Sequence, residues 1–383
     1  MDRYDVVVVG AGVFGAWTAW HLVGRGQKVL LVDAYGPANA RASSAGESRI
    51  IRMGYGAEEI YTRWSQRSLV RWKEFFGLKR AGLFHETGVL WLGTKEDTRI
   101  RDTASTLRRC GVAFEELDRA ELENRYPQIG LDGIVAGLLE PQSGVLMARR
   151  AVAAVAEDAV GRGGDYRVAE IVTPRRPQSG DLMSISTQSG EHIEAGQFVF
   201  ACGAWLGKVF PDVLGERIFP SRQEVFFLGV PAGDTRFASG ALPTFLFPAD
   251  ESYGMPDLEG RGFKIALDRH GVRVDPDTQS RMVSQEAAKE VQRYVGRRFP
   301  GLRGAPIVET RVCQYENTSS GDFLIDRHPE MENVWFAGGG SGHGFKHGPA
   351  VGEYVAGRIL DGIRDEPRFS LKSKDTVQRR AVY

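Results

Sequence analysis

The sequence predicts an α/β fold in which a dinucleotide-binding unit on a parallel sheet interleaves with a second, antiparallel-sheet (α+β) domain. Three observations predict it. An apolar run from Tyr4 to Val9 leads into Gly10-Ala-Gly12-Val-Phe-Gly15, a helical stretch, and a second apolar run ending at Asp33. Strand candidates such as EVFFLGV and GFKIAL dominate the stretch from about 220 to 320. The last quarter carries a glycine-dense turn, Gly338 to Gly344, that ends in Phe345-Lys346. At 383 residues the chain is long enough for two domains sharing an extended core.

Each element has its own signal. Tyr4 to Val9 is rich in β-branched residues, the pattern of a buried parallel strand. With the glycine turn, the helical AWTAWHLVGRG and KVLLVD, it makes a Rossmann-like βαβ unit. Ile60, Trp64, Trp72 and Phe76 recur at helical intervals and predict an amphipathic helix. Between about 85 and 147 come the strand-like GVLWLG, an Arg-rich helix, and an Asp118/Glu121 capping box that opens another helix before Pro127. From Met147 a helix runs into GGDYRVAEIV, and QFVFACGAW supplies a further buried strand. The helix QEAAKEVQRYVGRRF interrupts the later strands and is closed by Pro300. These pieces assign 1–86, 147–219 and 322–383 to the dinucleotide domain, and 87–146 and 220–321 to a substrate domain.

Composition narrows the function classes. Lys plus Arg and Asp plus Glu both number 49, so nothing favours nucleic acid or an anionic membrane as a partner. The seven histidines lack metal-ligand spacing, and no metal is expected. Cys110, Cys202 and Cys313 are odd in number and far apart, which fits a reducing compartment without a disulfide framework. Strand-like sequence from Tyr4 leaves no room for a signal peptide, no apolar run approaches spanning length, and the terminal Arg380-Ala-Val-Tyr383 is no Ser-Lys-Leu address. A cytoplasmic protein is the expectation.

The chemistry begins at the glycine turn. Gly10, Gly12 and Gly15 permit a tight turn, close approach of backbone to a diphosphate, and close helix–strand packing, with the diphosphate at the helix N-terminus. Asp33, 18 residues after Gly15, is positioned to accept hydrogen bonds from ribose hydroxyls. The turn alone leaves NAD and FAD open. Cys313, two residues before Tyr315 and upstream of the second glycine turn, puts a thiol near the cofactor and points to a flavin enzyme. By itself the same cysteine reads more readily as a small core residue, as Cys110 and Cys202 do. Arg49 and Arg52, three apart, could share one face of a helical turn. The Ile50-Ile51 between them suggests a buried segment, where guanidiniums need anionic partners. Lys264 interrupts the apolar FKIAL, and alternation alone would turn it to solvent.

GESRIIRMGYG (46–56), YGMP (253–256), FKIALDRHG (263–271), VCQY (312–315) and SGHGFK (341–346) occur in the order and spacing of the monomeric sarcosine oxidase family. That family also includes N-methyltryptophan and pipecolate oxidases, and the resemblance spans nearly the whole chain. It implies a monomeric enzyme holding extended FAD, tied through Cys313 to the flavin's 8-position methyl group. It implies oxidation of a secondary amine to an imine, with oxygen reduced to hydrogen peroxide. It assigns Arg52 and Lys346 to clamping a substrate carboxylate and Arg49 to the flavin face. Lys264 is assigned to oxygen activation, and Tyr253 and Tyr315 to the substrate pocket. Ser43, Ser44, Val168, Gly340, Gly342, His343 and Gly344 join the first glycine turn, Asp33, Arg49 and Lys346 as cofactor contacts.

Two positions depart from the family. Sarcosine oxidases carry histidine where this chain has Ala45 and Asp268. Asp268, four residues from Lys264 and on the same strand face by alternation, could moderate the lysine's field or hydrogen-bond a polar substrate. Fructosyl amino acid oxidases resemble this chain in an acid near that position and in GGSGHGFK, but lack RIIR. A small N-methyl amino acid, a cyclic imino acid and a sugar-substituted amine therefore remain open as substrates. A flavin dehydrogenase with a protein acceptor and a non-catalytic dinucleotide-binding protein are the readings from other classes.

Overall fold

The computed structural model describes residues 3–77, 80–174, 180–269 and 271–379. The terminal segment compared above with a peroxisomal address, Arg380–Tyr383, lies outside them.

The first sheet has seven strands. Tyr4–Val9 sits near its centre, parallel to Val29–Asp33 on one side and to His192–Phe200 on the other. Val334–Gly338 continues the parallel set beyond His192–Phe200, and Asp165–Val168 does so beyond Val29–Asp33. Leu324–Arg327 closes one edge antiparallel. Tyr4–Val9 shows why these strands read as nearly unbroken apolar runs: Val6, Val7 and Val8 are all buried, because helices or loops cover both faces. The helices Val13–Gly24, Ala148–Gly161 and Gly348–Leu360 pack together on one side. Trp17 is the buried anchor of the first, in edge contact with Trp72 of the helix Glu59–Phe76. That helix buries Tyr61, Leu69, Trp72 and Phe76; of the four residues whose spacing predicted it, Trp72 and Phe76 are buried, while Ile60 and Trp64 are half-buried.

The second sheet has eight strands, and one pair within it departs from the antiparallel expectation. Thr244–Phe247 runs parallel to Val89–Gly93, because two separate excursions of the chain meet there. Its longest pairing joins Phe219–Leu228 to Ile307–Asn317. One face carries Phe226, Leu228, Phe263 and Ile265 into a core with Val291 and Val295 of the helix Gln285–Arg298. The period-2 alternation then sends Val225, Phe227, Lys264 and Ala266 to the opposite face. A small third sheet pairs Gly144–Leu146 with both Arg49–Ile51 and Phe84–His85.

Asp118 caps the helix Arg119–Arg125 with the reciprocal Glu121 contact that the sequence implied. Among the described residues no helix is long and apolar enough to cross a membrane, and no group of three or more His, Cys, Asp or Glu is placed to hold a metal ion.

Candidate active site

A cavity of about 390 Å³ opens over the C-terminal ends of the central strands of the first sheet. Gly10, Gly12, Asp33, Ser43, Ser44 and Arg49 line it. From the far end of the chain Tyr315, Gly340, Gly342 and Gly344 complete the wall. Gly15 does its work outside the wall: a Cβ there would lie 1.8 Å from the Gly10 carbonyl oxygen, so only glycine lets the helix sit this close to the strand. Ser44 Oγ accepts from the Val13 amide at 3.0 Å, tying the 43–49 segment to the helix N-terminus. Asp33 accepts from the amides of Ala11, Tyr35 and Gly36 at 2.8, 2.8 and 2.9 Å. Burial still raises its pKa despite those donors. Val168, paired with Asp33 in register, is 60% exposed, and the wall next to it is made by Ala169 to Thr173. Cys110 is buried as expected, but Cys202 lies in the cavity wall instead of the core.

The exposed-lysine expectation fails at Lys264, which is 2% accessible. Alternation puts it on the sheet face turned toward the 43–49 segment, and its Nζ donates to Ser48 O at 2.8 Å and Ser48 Oγ at 2.9 Å. Burial first, then the Arg49 charge, pushes its pKa well below the usual lysine value. Arg49 reaches the same segment from the other side. It donates to the carbonyls of Gly46, Ser48 and Ser43, and its Nη2 lies 3.3 Å from Cys313 Sγ. Cys313 is 8% exposed and paired with Gln223, while Tyr315 is paired with Ser221. Tyr315 donates to Asp268 Oδ1 at 2.7 Å. Asp268 thus bonds a tyrosine of the pocket, and its charge acts on Tyr253 and Lys346. Burial pushes the Tyr253 hydroxyl up to about 12. Ala45, where a histidine was expected from the resemblance, is buried in the one-turn helix Ser43–Ala45.

Arg49 and Arg52 do not share a helical turn. Arg49–Ile51 is a strand paired with Gly144–Leu146, so a three-residue step sends the two guanidiniums apart. Arg52 is buried over the rings of Tyr55 and Trp91, at 4.4 and 4.7 Å. Lys346 is 4% exposed and donates to the Tyr55 hydroxyl at 2.7 Å and the His343 carbonyl at 2.8 Å. Burial, followed by the Arg52 charge, lowers its pKa well below the usual value, against the pull of Glu140 and Asp268. His343 is held by Tyr55 and the Gly321 carbonyl, in keeping with a structural part in the glycine turn.

Several site residues escaped the sequence reading. Glu140, fully buried, accepts from the amides of Met53 and Gly54, from Trp91 Nε1 and from Ser143 Oγ, and so fixes the turn after Arg52. Tyr55 joins Lys346 to His343 and His347 through its hydroxyl. Glu316 lines the cavity. Its strand mixes exposed and buried positions, so the acid carried no signal in the sequence.

The cavity fits a dinucleotide on geometry alone. A Cβ at Gly12 would meet only Ser44 Oγ, at 3.5 Å, so the chain itself leaves the space before the helix N-terminus clear. A diphosphate there would meet the positive end of the helix. The chain belongs to the FAD dependent oxidoreductase family, whose model matches residues 5–358. It is thus an FAD-dependent oxidoreductase of the kind that acts on amine groups. It is 32% identical to monomeric sarcosine oxidase of Bacillus sp. (strain B-0618), over 99% of each chain. Two solved structures share its fold. L-proline dehydrogenase from P. horikoshii has a TM-score of 0.83 at 22% identity, covering 97% of both chains. Amadoriase I from Aspergillus fumigatus has a TM-score of 0.80 at 20% identity, covering 96% of this chain and 89% of that one.

Proposed function

We propose that this protein is an oxidase of secondary amines that bear a carboxylate, N-methyl or N-alkyl amino acids such as sarcosine, with Cys313 the covalent attachment point of its FAD. The observation that carries the reading is a shared sheet face that reaches the cavity wall. Cys313, Lys264, Tyr253 and Tyr315 lie on one face of the second sheet; Tyr315 lines the cavity and bonds Asp268, whose charge acts on the buried Lys346. On this reading the first sheet is the core of the cofactor domain (1–86, 147–219, 322–383) and the second that of the substrate domain (87–146, 220–321).

Bound FAD supplies the two-electron acceptor for the amine and, once reduced, the donor to oxygen. The chain's own groups do the rest. Arg52 and Lys346 hold the carboxylate by charge-assisted hydrogen bonds and so orient the adjacent carbon. Lys346 offers that bond readily, because its present partners, a hydroxyl and a carbonyl, are neutral. The Tyr315–Asp268 pair provides acceptors on the amine side, and no strong base is needed if the amine binds or becomes neutral. Lys264 sets a fixed cation where negative charge develops on oxygen. Arg49, whose Nη2 donates to Cys313 Sγ at 3.3 Å, orients the sulfur for attachment. Forming the thioether breaks the S–H and one methyl C–H bond and releases two electrons and two protons. Oxygen, the oxidant of the proposed activity, takes these up as hydrogen peroxide. The imine product hydrolyses in water to an aldehyde and an amine.

Peroxide release across a panel of sarcosine, N-methyl aromatic amino acids, pipecolate, proline and fructosyl-glycine tests the reading. Anaerobic substrate that fails to bleach the flavin, or turnover without peroxide, refutes it. Asp268 favours one second reading: a carboxylate beside the substrate pocket is a ready acceptor for a polyhydroxy N-substituent, and activity confined to fructosyl-glycine would establish it. Bleaching by substrate without peroxide would mark a dehydrogenase with another acceptor. A small soluble amine as substrate, a monomeric state and a cytoplasmic location complete the proposal.

A further inference from the structure

Glu316 follows Tyr315 on the strand Ile307–Asn317 and stands in the wall of the cavity that Gly10, Gly12 and Asp33 also line. It is 7% exposed, and its Oε1 is buried without a hydrogen-bond partner among the described residues. The carboxyl fits there because residue 338 is glycine: a Cβ at Gly338 would lie 2.3 Å from that Oε1. Its neighbours in the wall are the amides of Gly339 and Gly340, and Cys202, whose thiol feels both Asp33 and Glu316. A buried carboxyl with one oxygen short of a partner is costly, so such a group in a cavity wall marks the place of a ligand's polar group.

We propose that Glu316 is a cofactor-positioning residue that hydrogen-bonds a hydroxyl of the ribityl chain of FAD. The inference rests on FAD occupying this cavity. Its parts can then be assigned by chemistry. Asp33 suits the ribose of the adenosine, and the helix N-terminus at Gly12–Val13 suits the diphosphate. The isoalloxazine belongs beside Cys313 and Lys264. Glu316, three residues beyond Cys313 on the second sheet and beside Gly338 of the first, is placed for the portion between diphosphate and ring. A carboxyl is a poor neighbour for a diphosphate, since like charges repel, but a good one for a polyol. Burial pushes the Glu316 carboxyl up to about 7, with the Gly339 and Gly340 amides drawing it down, so the group can donate as well as accept near neutrality.

The test uses Cys313→Ser protein, in which FAD is held without a sulfur bond. The protein is reconstituted with FAD or with FAD analogues lacking the 2′-, 3′- or 4′-hydroxyl of the ribityl chain. Release after dilution is followed by flavin fluorescence. In the Cys313→Ser parent, one analogue should leave about tenfold faster than FAD, the effect of one buried hydrogen bond. Adding Glu316→Leu should speed release of FAD to that analogue's rate and abolish discrimination between the two. Adding Glu316→Gln, which keeps a donor and an acceptor, should preserve it. A merely structural role for Glu316 would loosen all four cofactors in parallel. That result, or a parent that releases every analogue like FAD, overturns the proposal even if Glu316→Leu fails to fold. A parent that takes up no FAD at all would instead remove the cofactor assignment on which the inference rests.

Discussion

Replacing Lys264 by Met isolates the work of one buried charge. The two side chains are of similar length and volume, so packing against Phe227, whose ring centre lies 5.7 Å from Nζ, is largely kept. The substitution removes the hydrogen bonds to Ser48 O and Oγ at 2.8 and 2.9 Å. Each contributes roughly 1 kcal/mol net, and their loss is offset by the release of a desolvated ammonium. Stability should therefore fall by about 2 kcal/mol at most, a Tm change of only a few degrees for a chain of this size. Losing one preorganised charge at a centre of developing negative charge has a larger kinetic effect, roughly 10²- to 10³-fold in rate, or about 3–4 kcal/mol. Stopped-flow absorbance separates the two half-reactions. Anaerobic reduction by the amine should stay within about threefold of the parent, and reoxidation by dissolved oxygen should slow by two orders of magnitude or more. Equal slowing of both, with a large fall in Tm, would mean that Lys264 serves only to hold the 43–49 segment.

The remaining predictions concern pH, charge and attachment. Reduction should accelerate with pH as the bound amine loses its proton. Reoxidation should slow as pH rises through the lowered pKa of Lys264, since the ammonium exists only below it; a reoxidation rate that is flat with pH would contradict the assigned charge. Arg52→Leu or Lys346→Met should raise KM for an amino acid substrate about 10- to 150-fold, the worth of one charged hydrogen bond. Neither should weaken a secondary amine that lacks a carboxylate, and a uniform loss across both substrates would count against the clamp. Acid precipitation of the parent should leave the yellow colour in the pellet, whereas Cys313→Ala should release it to the supernatant; colour in the parent's supernatant would exclude the thioether. In flavin-free protein Glu316 favours its protonated form, with a folded pKa of about 7 against an ordinary 4.5. Its contribution is fully present below pH 4.5 and is lost as pH rises through 7, a change of roughly 3 kcal/mol. Urea midpoints compared with Glu316→Gln from pH 5 to 8 should carry that difference.

Local chemistry made part of this molecule readable. The strand–glycine–helix unit ending at Asp33 and the Asp118/Glu121 cap are specified within short windows, and the structure has both where expected. Lys264 was ambiguous, because which face of a strand is buried depends on what covers it, here the segment carrying Ser48. Arg49 and Arg52 misled for a similar reason: helical spacing in four residues is weak, and the pairing partner, Gly144–Leu146, lies far away in sequence. Glu140, Tyr55 and Glu316 were invisible, since each matters through a neighbour brought in by tertiary register.

Strands of the eight-membered sheet come from both 89–140 and 219–317, with strands of the parallel sheet before, between and after them. Neither sheet is a contiguous piece of chain. The eight-stranded half consequently cannot be exchanged as a cassette by recombination at a single junction. A cavity walled from both sheets is therefore reshaped position by position, through single side chains such as Tyr315.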